Sequence, residues 1–284
     1  MSARHWICTA GVLASMAFGP SAAADPVVEY VALGDSFAAA PLVPAMTDLK
    51  CHRSSHDYPA VLAELSGAQV FRDVSCDSAH VSDLSEPQDT SLLGIETGPV
   101  PPQLDALTPT TTLVTMTIGG GDSGLVGIAQ NCVNLLPKPL GKACKGNYVK
   151  DGVDSTAARI DAFAPRIGTA IEEIHARSPQ ARVILTGYGT YIQPGGCWPR
   201  QPFLAEDADY IQGSVGHLNQ AIAAQAAAHG ADYVDVATPG VGHDSCTPAN
   251  VRWLEGLIPG NIAAPLHPNA LGSANFASLI SARL

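Results

Sequence analysis

The sequence VALGDSF, residues 31–37, joins an apolar strand to a turn and to small residues that suit the start of a helix. Ser36 is predicted to lie at the carboxyl end of a parallel strand, beside backbone N–H groups and a helix dipole that favour negative charge. A nucleophile for acyl transfer needs such donors next to its hydroxyl. Gly-Asp-Ser also occurs in ordinary tight turns, so the other residues of such a site must come from elsewhere in the chain.

Strand and helix patterns alternate through the rest of the chain. Strands are predicted at 27–33, 69–74, 111–118, 182–186 and 231–236, and helices at 58–65, 155–176, 206–228 and 269–282. Pro165 should kink the third of these helices or divide it in two. Residues 84–103 are predicted to form a surface loop with little regular structure, and 131–152, which hold two cysteines and several lysines, an excursion. Apolar strands separated by helices indicate an α/β fold with a parallel sheet covered on both faces, in a single domain over 25–284.

Composition limits the classes of partner. The chain has 284 residues, of which 46% are hydrophobic and 14% charged, and its formal net charge is −11. A sizeable core is therefore expected. The acidic balance and the absence of a basic run argue against nucleic acid or an anionic membrane as a standing partner.

The first 24 residues have the layout of a secretory signal peptide. Arg4 and His5 precede an apolar run over 6–18, and the small residues 21–24 follow, with cleavage expected after Ala24. The alternative is a buried N-terminal helix. The run is too short for a permanent membrane anchor. An exported, extracellular protein with no integral membrane segment after cleavage is predicted.

The cysteines agree with export. One of the seven, Cys8, lies in the leader, and six remain: Cys51, Cys76, Cys132, Cys144, Cys197 and Cys246. An even number in an exported chain indicates disulfides, although the sequence alone does not choose among the fifteen pairings. No Cys-x-x-Cys and no histidines at zinc-finger spacing are present, which argues against structural zinc.

Polar residues follow three predicted strands and precede the last helix. They are the groups 34–36 (GDS), 76–79 (CDSA), 119–122 (GGGD) and 266–269 (LHPN). In an open α/β sheet the active crevice lies at the carboxyl edge of the strands. A serine nucleophile needs a base that is neutral near pH 7, and the late loop histidines His267 and His243 are the candidates. Asp35 and Asp122 are interpreted as turn residues that hydrogen-bond to local backbone.

In this order the motifs resemble those of the GDSL/SGNH hydrolase family, and the cysteine layout is similar to that of its secreted actinobacterial esterases and lipases. The resemblance extends from about Tyr30 to the C-terminus. It implies a three-layer α/β/α fold with a flavodoxin-like parallel sheet, Ser36 as nucleophile and His267 as general base. It also implies an oxyanion hole from Ser36, Ser78 and Gly121, no metal and no cofactor. The disulfides that it implies are Cys51–Cys76, Cys132–Cys144 and Cys197–Cys246, with His243 and Asp244 in a structural segment.

The chain departs from the family pattern at three positions. Ser78 replaces a glycine, which matters little because the donor there is a backbone N–H. Gly121 replaces an asparagine, and losing one such side-chain donor typically lowers the rate by about 10²–10³. Ala264 stands where an acid usually precedes the histidine, so its main-chain carbonyl is predicted to orient the imidazole in a Ser–His dyad. Asp244, reaching in from the preceding loop, is the competing orienter.

The predicted function is hydrolysis of a carboxylic ester through an acyl-enzyme on Ser36. A small ester or a lipid is the expected substrate, acyl groups on polysaccharide being a further class, and a monomer is expected. The proline-containing stretches 41–44 and 257–265 are predicted either to line the acyl pocket or to be surface loops. Two alternatives stay open: a binding protein that keeps the SGNH fold but has a weakened site, as Gly121 suggests, and amide hydrolysis by the same residues.

Overall fold

A five-stranded parallel sheet forms the centre of the protein. The computed structural model describes residues 27–92 and 94–284; the predicted signal peptide, 1–24, lies outside them. The strands are β1 (Glu29–Gly34), β2 (Val70–Asp73), β3 (Leu113–Thr117), β4 (Arg182–Thr186) and β5 (Asp232–Val234). Their order in the sheet is β2-β1-β3-β4-β5, which is the flavodoxin-like order. The predicted sheet is confirmed.

Helices cover both faces of this sheet. They are α1 (Ser36–Ala39), α2 (Tyr58–Leu65), α3 (Gly120–Ser123), α4 (Leu125–Asn131), α5 (Ser155–Arg177), α6 (Ala205–Ala228) and α7 (Ala270–Ser281). Helix α2 packs against α7, and α5 packs against α6. Every residue of β1 is buried, and because successive side chains of a strand point to opposite faces, both faces must be covered.

Helix α5 was predicted either to kink at Pro165 or to divide there into two helices. It continues as one helix through Pro165, so the division into two helices does not occur. Asp154 caps its start by accepting hydrogen bonds from the N–H groups of Thr156 and Ala157. One face is buried against the rest of the protein through Ile160, Phe163, Ile167, Ile171 and Ile174. This packing outweighs the single backbone hydrogen bond that proline cannot donate.

The prediction of an irregular loop over 84–103 is wrong. Gln88–Leu92 and Ile95–Val100 form an antiparallel hairpin. Thr90 hydrogen-bonds across it to Thr97 Oγ1 (2.7 Å) and to the carbonyl oxygen of Gly98 (2.6 Å). These cross-strand bonds stabilise strands that proline and glycine would otherwise disfavour. Shorter antiparallel pairs join Met46–Asp48 to Arg53–Ser54 and Val149–Lys150 to Val153–Asp154.

Three disulfides close surface loops: Cys51–Cys76, Cys132–Cys144 and Cys197–Cys246. All three pairings implied by the family resemblance are therefore confirmed. Each bond restricts the unfolded chain more than the folded one, which stabilises the loops around the sheet edge. Within the described ranges, no helix combines the length and the apolar character needed to cross a bilayer.

The strand order creates a crevice between the carboxyl ends of β1 and β3, where the chain switches direction along the sheet. The N–H of Asp35 donates to the carbonyl oxygen of Thr117 at 2.8 Å, so the two strand ends stay together. Gly34 makes this contact possible: its φ is +144°, and a Cβ there would lie 2.5 Å from the same carbonyl oxygen. Ser36 and Gly120 follow directly at this crevice.

Candidate active site

Ser36 is the first residue of α1, held in place by Asp35 at the N-cap. Asp35 has an extended backbone, and its Oδ1 accepts a hydrogen bond from the N–H of Phe37 at 2.9 Å. A capping carboxylate fixes where a helix begins. The sharp change from strand to helix therefore places the Ser36 hydroxyl at the edge of the sheet, as the sequence predicted.

His267, 231 residues away in sequence, contacts this hydroxyl. Its Nε2 lies 2.7 Å from Ser36 Oγ, and its Nδ1 lies 2.7 Å from the carbonyl oxygen of Pro265. Because a carbonyl oxygen only accepts, Nδ1 carries the proton of the neutral ring. Nε2 then has a free lone pair and accepts a hydrogen bond from the serine hydroxyl.

The prediction that Ala264 orients the imidazole is wrong by one residue. The Ala264 carbonyl accepts a hydrogen bond from the backbone N–H of His267 at 3.2 Å, which closes a turn over 264–267. That bond directs the Ala264 carbonyl along the backbone and leaves the Pro265 carbonyl facing the ring. The competing orienter, Asp244, instead accepts a hydrogen bond from the N–H of Cys246 at 2.8 Å.

His243, the other candidate base, has a structural environment. Its ring stacks on Trp253 with 4.3 Å between centroids, and its Nδ1 lies 2.7 Å from the carbonyl oxygen of Val251. Burial lowers the pKa of His267, and the hydrogen bond to Pro265 and the charge of Asp77 offset this only in part. A lowered pKa keeps His267 neutral, and thus able to accept a proton, at neutral pH.

The predicted oxyanion-hole residues meet at one pocket with Ser36 and His267. Ser78 and Gly121 line it. Ser36 and Gly121 lie in the first turns of α1 and α3, where backbone N–H groups have no acceptor within the helix. Ser78 has φ +66°, an uncommon value for a residue other than glycine, and its N–H donates to no acceptor among the described residues. The site thus offers backbone donors that line the same pocket as Ser36 and His267.

Asp35 and Tyr188 support the turns that carry these donors. The sequence did not predict the hydrogen bond between them. The Tyr188 hydroxyl and the Gly120 N–H both hydrogen-bond to Asp35 Oδ2, the latter at 3.1 Å. Burial raises the pKa of Asp35 to about 6, opposed by these hydrogen bonds. Asp35 therefore joins the turn of the serine to the glycine turn after β3. Asp35 and Tyr188 are 153 residues apart, so no local pattern pointed to the pair.

The space beside Gly121 is partly filled by His80. A Cβ on Gly121 would lie 3.2 Å from the Ala79 carbonyl oxygen and 3.2 Å from His80 Cε1. His80 Nδ1 lies 3.7 Å from Asp122 Oδ1, and Asp122 Oδ2 accepts a hydrogen bond from the N–H of Val81 at 3.0 Å. Asp122 thus positions backbone, but not the local backbone that was predicted, because Val81 precedes it by 41 residues.

The pocket has a volume of about 300 Å³ and walls that are mainly apolar. The side chains that line it come from α4, the segment after β4 and α6, among them Leu125, Val126, Ala129, Tyr191, Ile192, Phe203, Ile211 and Val215. Neither stretch predicted from its prolines contributes to these walls. Residues 41–44 and 257–265 contact each other instead, with the Ala264 N–H donating to the Pro41 carbonyl at 2.9 Å. The periodicity of α6, which places Ile211 and Val215 on one face, is the pattern that could have located the pocket wall.

Comparison with known proteins matches nearly the whole chain to lipases and acylhydrolases. The GDSL-like Lipase/Acylhydrolase family profile matches residues 32–274. The sequence is 36% identical over 278 residues to Lipase 2 of Streptomyces coelicolor, covering 94% of this chain and 89% of that protein. It is 28% identical over 265 residues to a lipase of Streptomyces rimosus, covering 90% and 88%.

Among solved structures, phospholipase A1 from Streptomyces albidoflavus NA297 is similar with a TM-score of 0.70 at 25% identity, over 91% of this chain and all of that one. The extracellular lipase from Streptomyces rimosus has a TM-score of 0.69 at 24% identity, with the same coverage, and supports the fold. The matched profile spans well over half of the sequence and includes both Ser36 and His267. This chain belongs to the GDSL-like lipase/acylhydrolase family.

Proposed function

We propose that this carboxylic ester hydrolase acts through a Ser–His dyad, with Ser36 as nucleophile and His267 as general base. The observation that carries the proposal is the 2.7 Å contact between Ser36 Oγ and His267 Nε2, in the tautomer that Pro265 fixes. The carbonyl of Pro265 does part of the work of a triad aspartate, since it orients the ring. It carries no full charge, so it stabilises an imidazolium less.

The reaction proceeds in two halves. Ser36 Oγ forms a bond to the ester carbonyl carbon while its proton moves to His267 Nε2, and the carbonyl oxygen becomes an oxyanion. The N–H groups of Ser36, Ser78 and Gly121 donate to that oxygen. The C–O bond to the alcohol then breaks, and His267 returns the proton to the leaving oxygen. Water attacks the acyl-enzyme by the same route, which releases the acid and restores Ser36.

The pocket favours an acyl chain as the group bound beside the serine. Its walls are aliphatic and aromatic, and its volume of about 300 Å³ suits a short to medium chain. The names of the relatives, Lipase 2 and phospholipase A1, are consistent with ester or lipid substrates. Tyr191 and Phe203 line the pocket with aromatic rings, and the two carboxylates that also line it, Asp35 and Asp77, belong to the segments that carry Ser36 and Ser78.

We also propose that the protein works outside the cell. The three disulfides support this, because such bonds form and persist in oxidising compartments. The signal-peptide pattern over 1–24 supports it too.

The test is hydrolysis of p-nitrophenyl esters of increasing acyl length, with an acyl p-nitroanilide as the amide counterpart. Ser36→Ala should lower kcat by at least about 10³, while the exposed control Ser85→Ala keeps wild-type rates. Ester cleavage without anilide cleavage separates the esterase from an amidase. Full activity in Ser36→Ala would refute the nucleophile. An inert wild-type protein that still binds acyl chains would instead support the weakened binding protein.

A further inference from the structure

The loop closed by Cys132 and Cys144 exposes an unusual number of large aliphatic side chains. Exposed fractions are 77% for Leu135, 71% for Leu140, 53% for Leu136 and 37% for Val133. Single exposed aliphatic residues are common on protein surfaces, but four within a loop of this length form a patch. The disulfide holds the patch together, because the loop cannot extend beyond its own closure.

The same region concentrates positive charge in an acidic protein. The chain has five lysines in all, and four of them lie within 138–150: Lys138, Lys142, Lys145 and Lys150. Residues 131–145 contain no Asp or Glu, although the chain has 26 of them. Lys138 pairs with Glu206 at 2.7 Å. Within the described part of the chain, the other three lysines form no ion pair, and all four are exposed.

This patch adjoins the candidate active site. Cys132 directly ends α4, whose residues Leu125, Val126 and Ala129 line the pocket, and Val126 is itself 43% exposed. The apolar pocket wall therefore continues onto the outer surface through Val126.

The loop also packs on a second wall of the pocket. The Asn134 N–H donates to the Pro202 carbonyl at 2.7 Å, and Trp198 Nε1 donates to the Asn134 carbonyl at 2.9 Å. Phe203, the residue after Pro202, lines the pocket. These two hydrogen bonds fix Asn134 of the loop to the segment that carries Phe203.

We propose that the Cys132–Cys144 loop binds the surface of aggregated phospholipid and presents the pocket to it. Leu135, Leu136 and Leu140 insert among acyl chains, while Lys142, Lys145 and Lys150 lie at the level of the phosphates. Aliphatic side chains beside lysines are the combination that interfacial segments use, because apolar burial and attraction to phosphate act together. The proposal rests on the proposed function for its purpose, but binding itself requires no catalysis.

A phospholipid surface accounts for the patch better than a second copy of the chain. A copy would carry the net charge of −11 as well, and its own aliphatic patch would bring a second group of lysines against the first. Phosphate groups, by contrast, complement the local charge. This local charge also limits the conclusion drawn from composition, because the overall acidity of the chain does not extend to residues 131–145.

The experiment measures binding with the Ser36→Ala protein, so that hydrolysis does not alter the lipid. Co-sedimentation is compared on vesicles of phosphatidylcholine alone and of phosphatidylcholine with phosphatidylglycerol. Leu135→Ser/Leu140→Ser should lower the partition coefficient at least about tenfold on both, because each exposed leucine contributes apolar burial. Lys142→Glu/Lys145→Glu should lower it by about fivefold per lysine on the vesicles that contain phosphatidylglycerol.

Matched controls come from elsewhere in the chain. Leu65 is 52% exposed at the end of α2, and the nearby Gln69 N–H donates to the carbonyl of Val28, which precedes β1, so it lies at the opposite edge of the sheet. Leu65→Ser, and Lys50→Glu at the fifth lysine, should leave binding unchanged. In the protein with Ser36 intact, the leucine variants should keep wild-type rates on dissolved p-nitrophenyl acetate and lose rate on phospholipid vesicles.

Vesicle binding that is unchanged in Leu135→Ser/Leu140→Ser overturns the proposal, as does a leucine-dependent dimer in light scattering without lipid. Equal loss on dissolved and vesicular esters also overturns it, since the loop would then act on the pocket structure alone. If the protein hydrolyses no ester, the proposed function fails, whereas the binding measured with Ser36→Ala still tests the loop.

Discussion

The imidazole of His267 is oriented by the carbonyl oxygen of Pro265, two residues before it, with 2.7 Å between Nδ1 and that oxygen. The orienting group is therefore part of the same turn as the base and moves with it. A carbonyl fixes the tautomer but leaves the imidazolium with only a dipole as partner. The basicity of His267 is then set mainly by burial, which lowers its pKa.

Ester hydrolysis should consequently persist to a more acidic pH than it would if the base were an exposed histidine with an ordinary pKa. Hydrolysis needs neutral His267, so kcat/KM should fall on the acid side with a midpoint below the ordinary histidine value of about 6.5. The measurement is kcat/KM for p-nitrophenyl acetate against pH. A midpoint above that value would contradict the assignment. His267→Gln should lose at least about 10³ in kcat at every pH.

Asp35 should affect kcat more than KM. Its carboxylate accepts hydrogen bonds from Gly120, Phe37 and Tyr188, and its pKa is raised to about 6, so it is mostly charged at neutral pH. In Asp35→Asn one carboxylate oxygen becomes an NH₂ group. An NH₂ group only donates, so it cannot replace Oδ2 as the acceptor for Gly120 and Tyr188. A buried donor left without an acceptor costs about 1–3 kcal/mol, so we expect kcat to fall about tenfold to hundredfold.

Steady-state kinetics at pH 8 checks this expectation, with circular dichroism to show that the fold is kept. Tyr188→Phe is the milder companion: it keeps the carboxylate and both backbone donors, so kcat should fall less. Because Asp35 also titrates near pH 6, its variant should also simplify the acid side of the pH profile to the single titration of His267. An unchanged kcat in Asp35→Asn would exclude this positioning role.

Gly121→Asn should restore a side-chain donor at the oxyanion, within a limited space. A side chain there meets the Ala79 carbonyl and the His80 ring, each 3.2 Å from the new Cβ. The His80 ring is half exposed and can move, whereas the carbonyl cannot. We therefore expect a modest gain in kcat for Gly121→Asn and a gain of at least about tenfold for His80→Ala/Gly121→Asn, relative to His80→Ala.

Gly121→Ala is the control, because it has the crowding without the donor and should show no gain. The comparison is kcat for one p-nitrophenyl ester across the four variants. If neither asparagine variant exceeds its parent, backbone donors already saturate the oxyanion and the missing asparagine does not limit the rate.

The parts of this protein that the sequence predicted are those encoded in local patterns. Ser36 follows a strand that any apolar run of its length predicts, and the parallel sheet follows from strands that alternate with helices, whereas its flavodoxin-like order was implied by the family resemblance. His267 required the combination of motifs, because a loop histidine has no local distinguishing feature. The hairpin of Gln88–Leu92 and Ile95–Val100 was missed because its stability comes from contacts between Thr90 and Thr97, which depend on register and not on composition.

The orienting carbonyl shows another limit. Ala264 and Pro265 both offer a carbonyl, and which of them faces the ring depends on the backbone angles of the turn, not on either side chain. Residue identity carries little information about a backbone acceptor. The hydrogen bond between the side chains of Asp35 and Tyr188 could not be predicted from residue identity either, because it forms only once β1 and β4 lie in one sheet.

Two carboxyl groups, the buried Asp57 and the half-buried Asp73, should make stability depend on pH. Asp57 caps α2 by accepting a hydrogen bond from the Ala60 N–H at 2.8 Å, while its buried Oδ2 has no partner among the described residues. Asp73 accepts hydrogen bonds from the N–H and hydroxyl of Ser75. Burial raises the pKa of both groups, and their mutual repulsion adds to this for Asp57. At this pair the folded protein therefore binds more protons than the unfolded chain does above about pH 4.

The contribution of this pair to stability should accordingly fall as pH rises above about 4, because the charged pair is disfavoured only in the folded state. Asp57→Asn removes one charge and keeps the cap, since asparagine caps helices as well as aspartate does. We expect its Tm to exceed that of the wild-type protein by about 2 °C or more at pH 8, with the difference shrinking toward pH 4. Asp154→Asn, at the N-cap of α5, should show no such rise. Thermal unfolding followed by circular dichroism measures this, and a wild-type Tm that rises steadily from pH 4 to pH 8, with Asp57→Asn below it, would show that the pair is not held in a protonated form.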